Sequence, residues 1–205
     1  MLDIEQLSPI PYRTLYLIRH GQYERSMAAA EPGDGPLTAL GREQADQTGR
    51  RLSGFAVDVI HHSTLIRATE TAQIIAAHFP GVELRATPLL KECAPTVAPA
   101  VRALLGETVT EADLRRSDAQ AQRVFRQWFQ PLAADATQGS REIVVSSGNL
   151  ISYLVSRTLG ASGRQWIHTT IQHCGVSEVL LGGDRERLLL RHNDTGHLPE
   201  RLQTI

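Results

Sequence analysis

Cysteine is nearly missing from this sequence. Cys93 and Cys174 are the two in 205 residues, and they form no CxxC pair. A disulfide scaffold and a cysteine-built zinc site are not expected, and a reducing compartment fits. Long apolar runs are missing too: none reaches the roughly 20 residues that span a bilayer. No basic–apolar–small leader opens the chain, so the expected location is cytoplasmic, with no membrane partner. Neither sign of charge dominates: 21 basic residues meet 22 acidic ones, for a net charge of −1. Without a field of one sign, nucleic acid is not an expected partner. Lysine is almost absent. Lys91 is the single one, and the other basic residues are arginines, whose planar forks suit phosphate.

What remains is an ordinary globular composition, 41% hydrophobic and 21% charged. The length suits one α/β domain with a sizeable core. No repeat, low-complexity tract or linker divides it. We expect an N-terminal arm over residues 1–13, where Pro9-Ile10-Pro11 excludes helix, and one domain over 14–205.

Thr14–Ile18 is a short apolar, aromatic and β-branched run, hence a buried strand, ending at Arg19-His20-Gly21. A Gly-, Pro- and Asp-containing loop follows (31–36). Thr38 then caps a helix to about Leu52. Val57–Ile60 reads as a second strand. Ser63 or Thr64 opens a helix through Phe79, stopped by Pro80-Gly81. Val82–Arg85 is a third strand, and the Pro-broken loop 88–99 holds Glu92. Thr108-x-x-Glu111 reads as a capping box for a helix toward Trp128, broken near Ser117. Arg141–Ser146 is another buried strand, followed by a helix from about Leu150 to Gly160. Val176–Leu181 and Arg187–Arg191 flank Gly182-Gly183-Asp184-Arg185 as an antiparallel hairpin. Alternating strands and helices predict a three-layer α/β/α fold with a mainly parallel sheet and an antiparallel edge.

In such sheets the site lies at the carboxyl ends of the strands. Arg19 and His20 follow the first strand, Ser63 and Arg67 the second, Glu92 the third, and Ser147 and Gly148 the strand ending at Ser146. Two arginine forks can bind the equatorial oxygens of a phosphomonoester. The same arginines disfavour an imidazolium, leaving His20 with a free ring nitrogen that can attack phosphorus. Glu92 is the candidate proton donor to the leaving alkoxide, and then the base for water. The arginines supply the positive charge, so neither a metal nor a cofactor is expected.

Leu17-Ile18-Arg19-His20-Gly21, Leu37–Ala45, Ser63–Ala72, Leu90-Lys91-Glu92 and Asn193–Leu198 together resemble the ordered motifs of the histidine phosphatase (phosphoglycerate mutase-like) superfamily. Gln22-Tyr23, Gly41–Ala45, Ala94-Pro95 and Asp194-Thr195-Gly196 are similar to its mitochondrial serine/threonine-protein phosphatase branch, without that branch's membrane anchor. The resemblance implies a phosphorylated small molecule or a phosphoprotein as substrate, and assembly, as in many members, as a homodimer.

One position departs from the pattern. Where the resemblance implies a second histidine, completing two His and two Arg around the phosphate, the chain reads Ser146-Ser147-Gly148. Losing a preorganised donor typically costs about a hundred- to a thousand-fold in rate, so weakened catalysis is expected. Ser147 thereby favours a competing function, a non-catalytic binder of phosphorylated ligands through Arg19 and Arg67. A mutase is the third reading. Its Arg-rich insertion after the acid has no clear match in residues 95–116, despite Arg102, Arg115 and Arg116. The other histidines are expected to be structural. His61 and His62 read as polar residues at a strand end. His168, His173 and His192 lack metal-ligand spacing, and His197 lies in the closing motif. Phe125, Trp128 and Phe129 read as core or interface.

Overall fold

Thr14 to Ile18 are all buried, and their alternation builds the three layers. In the strand β1 (Arg13–Arg19), Leu15 and Leu17 pack with Val144, Leu150, Tyr153 and Phe129 on one face, while Tyr16 and Ile18 pack with Ile60, Ala68, Ala72 and Ile75 on the other. Each fully buried side chain of this kind contributes about 1.5–3 kcal/mol. A strand apolar on both sides requires helices on both sides. The computed structural model describes residues 11–31, 33–96, 109–183 and 186–205.

After β1 come α1 (Ala39–Leu52), β2 (Val59–Ser63), α2 (Ile66–Ala76), β3 (Glu83–Thr87), α3 (Glu111–Trp128), β4 (Ser140–Ser146), α4 (Gly148–Thr158), β5 (Val176–Leu181) and β6 (Arg187–Asp194). The sheet order is β3-β2-β4-β1-β5-β6. β3, β2, β4 and β1 run parallel; β5 runs antiparallel to both β1 and β6. This is the expected α/β/α architecture with its antiparallel edge. Residues from α1 and α2 cover one face, residues from α3 and α4 the other. Phe125, Trp128 and Phe129 are core.

Several boundaries differ from expectation. β2 extends through His61, His62 and Ser63, because β3 and β4 flank it and keep its polar end inside the sheet. His61 turns to Glu142 at 3.3 Å and packs edge-on against Trp128, and His62 Nδ1 bonds the Ser63 carbonyl. Neither joins the site. α2 accordingly starts at Ile66. The capping box is Thr110 with Asp113, two residues beyond the expected one: the Asp113 N–H donates to Thr110 Oγ1, and the Thr110 N–H donates to Asp113 Oδ2. The segment Thr108-Val109-Thr110 offers the same pattern in two registers, and Thr108 is outside the described residues. α3 is unbroken at Ser117. Its buried residues Ala121, Val124, Phe125 and Trp128 keep helical spacing, and a mid-helix serine costs only about 0.5 kcal/mol. Arg13 belongs to β1 rather than to the arm, whose residues 1–10 are outside the described range, as are Arg102, Asp184 and Arg185.

Candidate active site

In the parallel part of the sheet, Arg19 stands level with Ser146 and Ser63 with Thr87. Their following residues therefore emerge along one edge. At its centre is His20, 2% exposed. Its Nδ1–H donates to the Gly21 carbonyl at 2.9 Å, which leaves Nε2 as the ring's lone-pair nitrogen. Nε2 accepts from Arg67 Nε at 2.9 Å. Burial first, then Arg67, Arg19 and His173, holds the pKa of His20 well below the usual histidine value. The ring stays neutral near pH 7.

Arg67 is buried, and its charge needs a partner. Asp34 supplies one: Arg67 Nη1 donates to its Oδ1 at 2.8 Å. The other oxygen of Asp34 accepts from the Ile66 N–H at 2.7 Å, in the first turn of α2, where the helix dipole also favours an anion. The Tyr23 ring lies under the guanidinium at 4.6 Å and meets His20 edge-on. The Thr71 hydroxyl, accepting from the Gly21 N–H at 3.0 Å, ties α2 back to the loop that follows β1. A Cβ on Gly21 would sit 2.6 Å from the Gly41 carbonyl, so the loop and α1 approach backbone to backbone. The ordered motifs are thus a set of mutual braces.

Across from Arg67 the arrangement is sparser. Arg19 donates from Nη1 to the Ile171 carbonyl at 2.6 Å, but its buried Nε has no hydrogen-bond partner among the described residues. A Cβ on Gly148 would lie 3.4 Å from that Nε. Ser147 is fully buried at the N-cap of α4, its hydroxyl caps nothing, and its Oγ is likewise unpartnered among the described residues. Glu92 closes the site. It stays exposed at the mouth of the cleft, yet crowding by protein atoms raises its pKa against the pull of Arg67 and Arg19 and of the Asn149 and Cys93 N–H groups.

The cleft above these residues encloses about 490 Å³ and is lined by Tyr23, Arg25, Asp34, Arg67, Glu92 and Asn149, among others. A second cavity of about 550 Å³ lies between α3 and α4, with Arg115 and Arg157 in its wall, and holds none of the convergent residues. Both cysteines are buried, with thiols pushed up to about 12, which rules out thiolate chemistry near neutrality. His192 bonds Ser177 and His197 bonds Thr48; both are structural. His173 is not where expectation put it. Its ring centroid lies 5.7 Å from that of His20. The sequence reasoning missed Asp34 and His173 alike.

Fold and site define a class, an α/β/α domain whose parallel strand ends gather a buried histidine between two arginines. Residues 15–195 match the model of the histidine phosphatase superfamily (branch 1), and the chain belongs to that superfamily. It is 33% identical over 190 residues to the mitochondrial serine/threonine-protein phosphatase PGAM5 of Mus musculus, covering 91% of this chain and 64% of that protein. The chain thus spans somewhat under two thirds of that relative. Among solved structures it resembles a phosphoglycerate mutase from Plasmodium falciparum (25% identity, TM-score 0.61, covering 93% of this chain and 96% of that one). It shares the fold of the α-ribazole phosphatase of Shigella flexneri (18% identity, TM-score 0.69, 88% and 96%).

The expected cytoplasmic location is overturned, since the PGAM5 phosphatases that the chain matches carry mitochondrial names. Cysteine usage and net charge report redox conditions and solubility; they encode no address. Among the described residues no helix is long and apolar enough to cross a membrane.

Proposed function

We propose that this chain is a metal-independent phosphomonoesterase that carries the phosphoryl group on His20. The observation that supports this most is the pinned tautomer: Nδ1–H on the Gly21 carbonyl, and Nε2 facing Arg67 with Arg19 nearby. An entering phosphate dianion draws the Arg67 guanidinium off Nε2 and exposes the lone pair. Nε2 attacks phosphorus, the bond to the ester oxygen breaks, and Glu92 protonates the leaving alkoxide. Water then attacks the phosphohistidine, Glu92 takes its proton, and the N–P bond breaks to release phosphate. The raised pKa of Glu92 suits it to both steps.

By likeness to the serine/threonine-protein phosphatases, the substrate is a phosphoprotein, a polar cleft open to solvent being able to admit a phosphorylated side chain. Rapid quench with ³²P-labelled phosphopeptide should give an acid-labile, base-stable label that His20→Ala abolishes along with turnover. A label that survives in His20→Ala removes this mechanism. In the wild type, the rate should decline on the alkaline side as Glu92 loses its proton, above the ordinary glutamate range. Glu92→Gln should lose that limb.

The second reading, a binder of phosphorylated ligands without turnover, draws on the unpartnered Ser147 hydroxyl. Stoichiometric binding of phosphopeptide with neither label nor released phosphate would favour it.

A further inference from the structure

The corner opposite Arg67 lacks the histidine that the family pattern leads one to expect, but another histidine stands beside it. β5 runs antiparallel to β1, so the segment before β5 arrives at the site edge. There the Ile171 carbonyl holds Arg19 and the Cys174 N–H donates to the Arg19 carbonyl at 3.0 Å. Cys174 is in the left-handed region, φ 55°, at a cost of about 1–2 kcal/mol for a residue with a Cβ. Such strain persists only where surrounding contacts dictate it, and here it turns the chain just after His173. That ring is 5% exposed and tilted 48° to His20.

The proton on His173 can be traced through its neighbours. Gln44 Oε1 accepts from the Gln22 N–H at 2.8 Å, and its Nε2 donates to the Leu202 carbonyl at 2.6 Å. A backbone donor on one side and a backbone acceptor on the other settle which end of the amide is which. The same Nε2 supplies a second proton to Thr204 Oγ1 at 2.9 Å. The Thr204 hydroxyl proton is thus free to go to its other partner, His173 Nδ1, also at 2.9 Å. With Nδ1 accepting from that hydroxyl, a neutral His173 carries its proton on Nε2, while the Thr204 carbonyl beside the ring favours the protonated form. Burial first, then Arg19 and Arg67, outweigh the Thr204 carbonyl and hold the ring neutral, with a pKa lowered to about 4.

We propose that His173 donates its Nε2–H to the phosphoryl group, supplying from the β5 side the donor that Ser147 does not. This rests on the phosphatase reading above. His173 is then a catalytic residue, and Gln44 and Thr204 are positioning residues that select its tautomer. Because the donor is neutral, it binds phosphate without adding charge that would hold the product.

The test compares wild type, His173→Ala, His173→Gln and His173→Ala/Ser147→His on a phosphopeptide, with melting curves for each. We expect His173→Ala to lower kcat about a hundredfold, His173→Gln to stay within about tenfold through its amide N–H, and the double variant to regain rate. A kcat for folded His173→Ala within twofold of wild type, while His20→Ala is inactive, would overturn the role of His173 and leave the phosphatase reading intact. An activity-independent arm uses ¹⁵N NMR of the wild-type imidazoles. The expected result is an Nε2–H tautomer at His173 whose resonance shifts on titration with inorganic phosphate. An Nδ1–H tautomer, or no shift at saturating phosphate, overturns the proposal even if no variant turns over or the alanine variant does not fold.

Discussion

Arg67 and Arg19 flank the same histidine, and the protein treats them differently. Arg67 is braced at Nη1 by a buried carboxylate, stacked on Tyr23, and held on His20 through Nε. Among the described residues, Arg19 is anchored through Nη1 on a backbone carbonyl and has a bare Nε, beside an unpartnered serine hydroxyl. Buried polar atoms in a folded protein are usually paired. A corner that leaves two unpaired is one where the expected partner comes from outside. The comparison separates two duties: the Arg67 side holds His20 in position, while on the proposed mechanism the Arg19 side would be completed by the phosphoryl group.

The largest effect should follow from breaking the braced side. Asp34→Ala leaves a buried guanidinium unpaired and strips the carboxylate from the first turn of α2. Removing one partner of a buried ion pair costs about 3–5 kcal/mol, and a chemical denaturation curve should show a loss of that order. Arg67 would also be released from its fixed angle, so the rate on phosphopeptide should fall with stability. If Asp34→Ala unfolds within about 1 kcal/mol of wild type, Arg67 is less constrained by its salt bridge than the geometry implies.

Filling the open side should act in the other direction. Ser147→His puts an imidazole where the hydroxyl has nothing to bond and Arg19 Nε waits. Restoring one full donor is worth about a hundred- to a thousand-fold at most. With His173 already supplying part of that, a gain of about tenfold in kcat is expected, read by steady-state kinetics on phosphopeptide. No gain would mean that the position is not the corner assigned to it. The site is tightly packed, so a melting curve must accompany the rate.

The same asymmetry governs what could be read from sequence. The parallel strands, the two covered faces and the hairpin edge followed from buried runs and turn residues. Arg19, His20, Arg67 and Glu92 followed from asking what stands at carboxyl strand ends. That rule is also why His173 was missed. It precedes β5, and an antiparallel strand presents its amino end at the edge where parallel strands present their carboxyl ends. The hairpin had been recognised, so the signal was available: reversing one strand reverses which loop to inspect. Asp34 was hidden for another reason. A lone aspartate in a Gly-Pro loop is an ordinary turn residue until a buried arginine across 33 positions needs its charge. The capping box slipped because Thr108 and Thr110 each precede an acid by three residues, and only packing decides between two equal local patterns.

The smallest predicted effect separates the two sides by acid. His173 is neutral and buried, with a folded pKa of about 4 against about 6.5 unfolded. Between those values the unfolded chain binds the proton that the folded chain refuses, so stability must fall as pH falls through that window. Above about pH 6.5 neither state is protonated there and the dependence vanishes. His20, whose folded pKa is lowered as well, acts in the same direction. Each such histidine contributes a slope of up to about 1.4 kcal/mol per pH unit. Denaturation midpoints measured from pH 7 down to pH 4.5 should therefore drop steadily in wild type. In His173→Gln the drop should be shallower by about one proton's worth. An unchanged slope in His173→Gln would mean that His173 takes up its proton with the fold intact, and that the Arg19 side is wetter and more yielding than the side it faces.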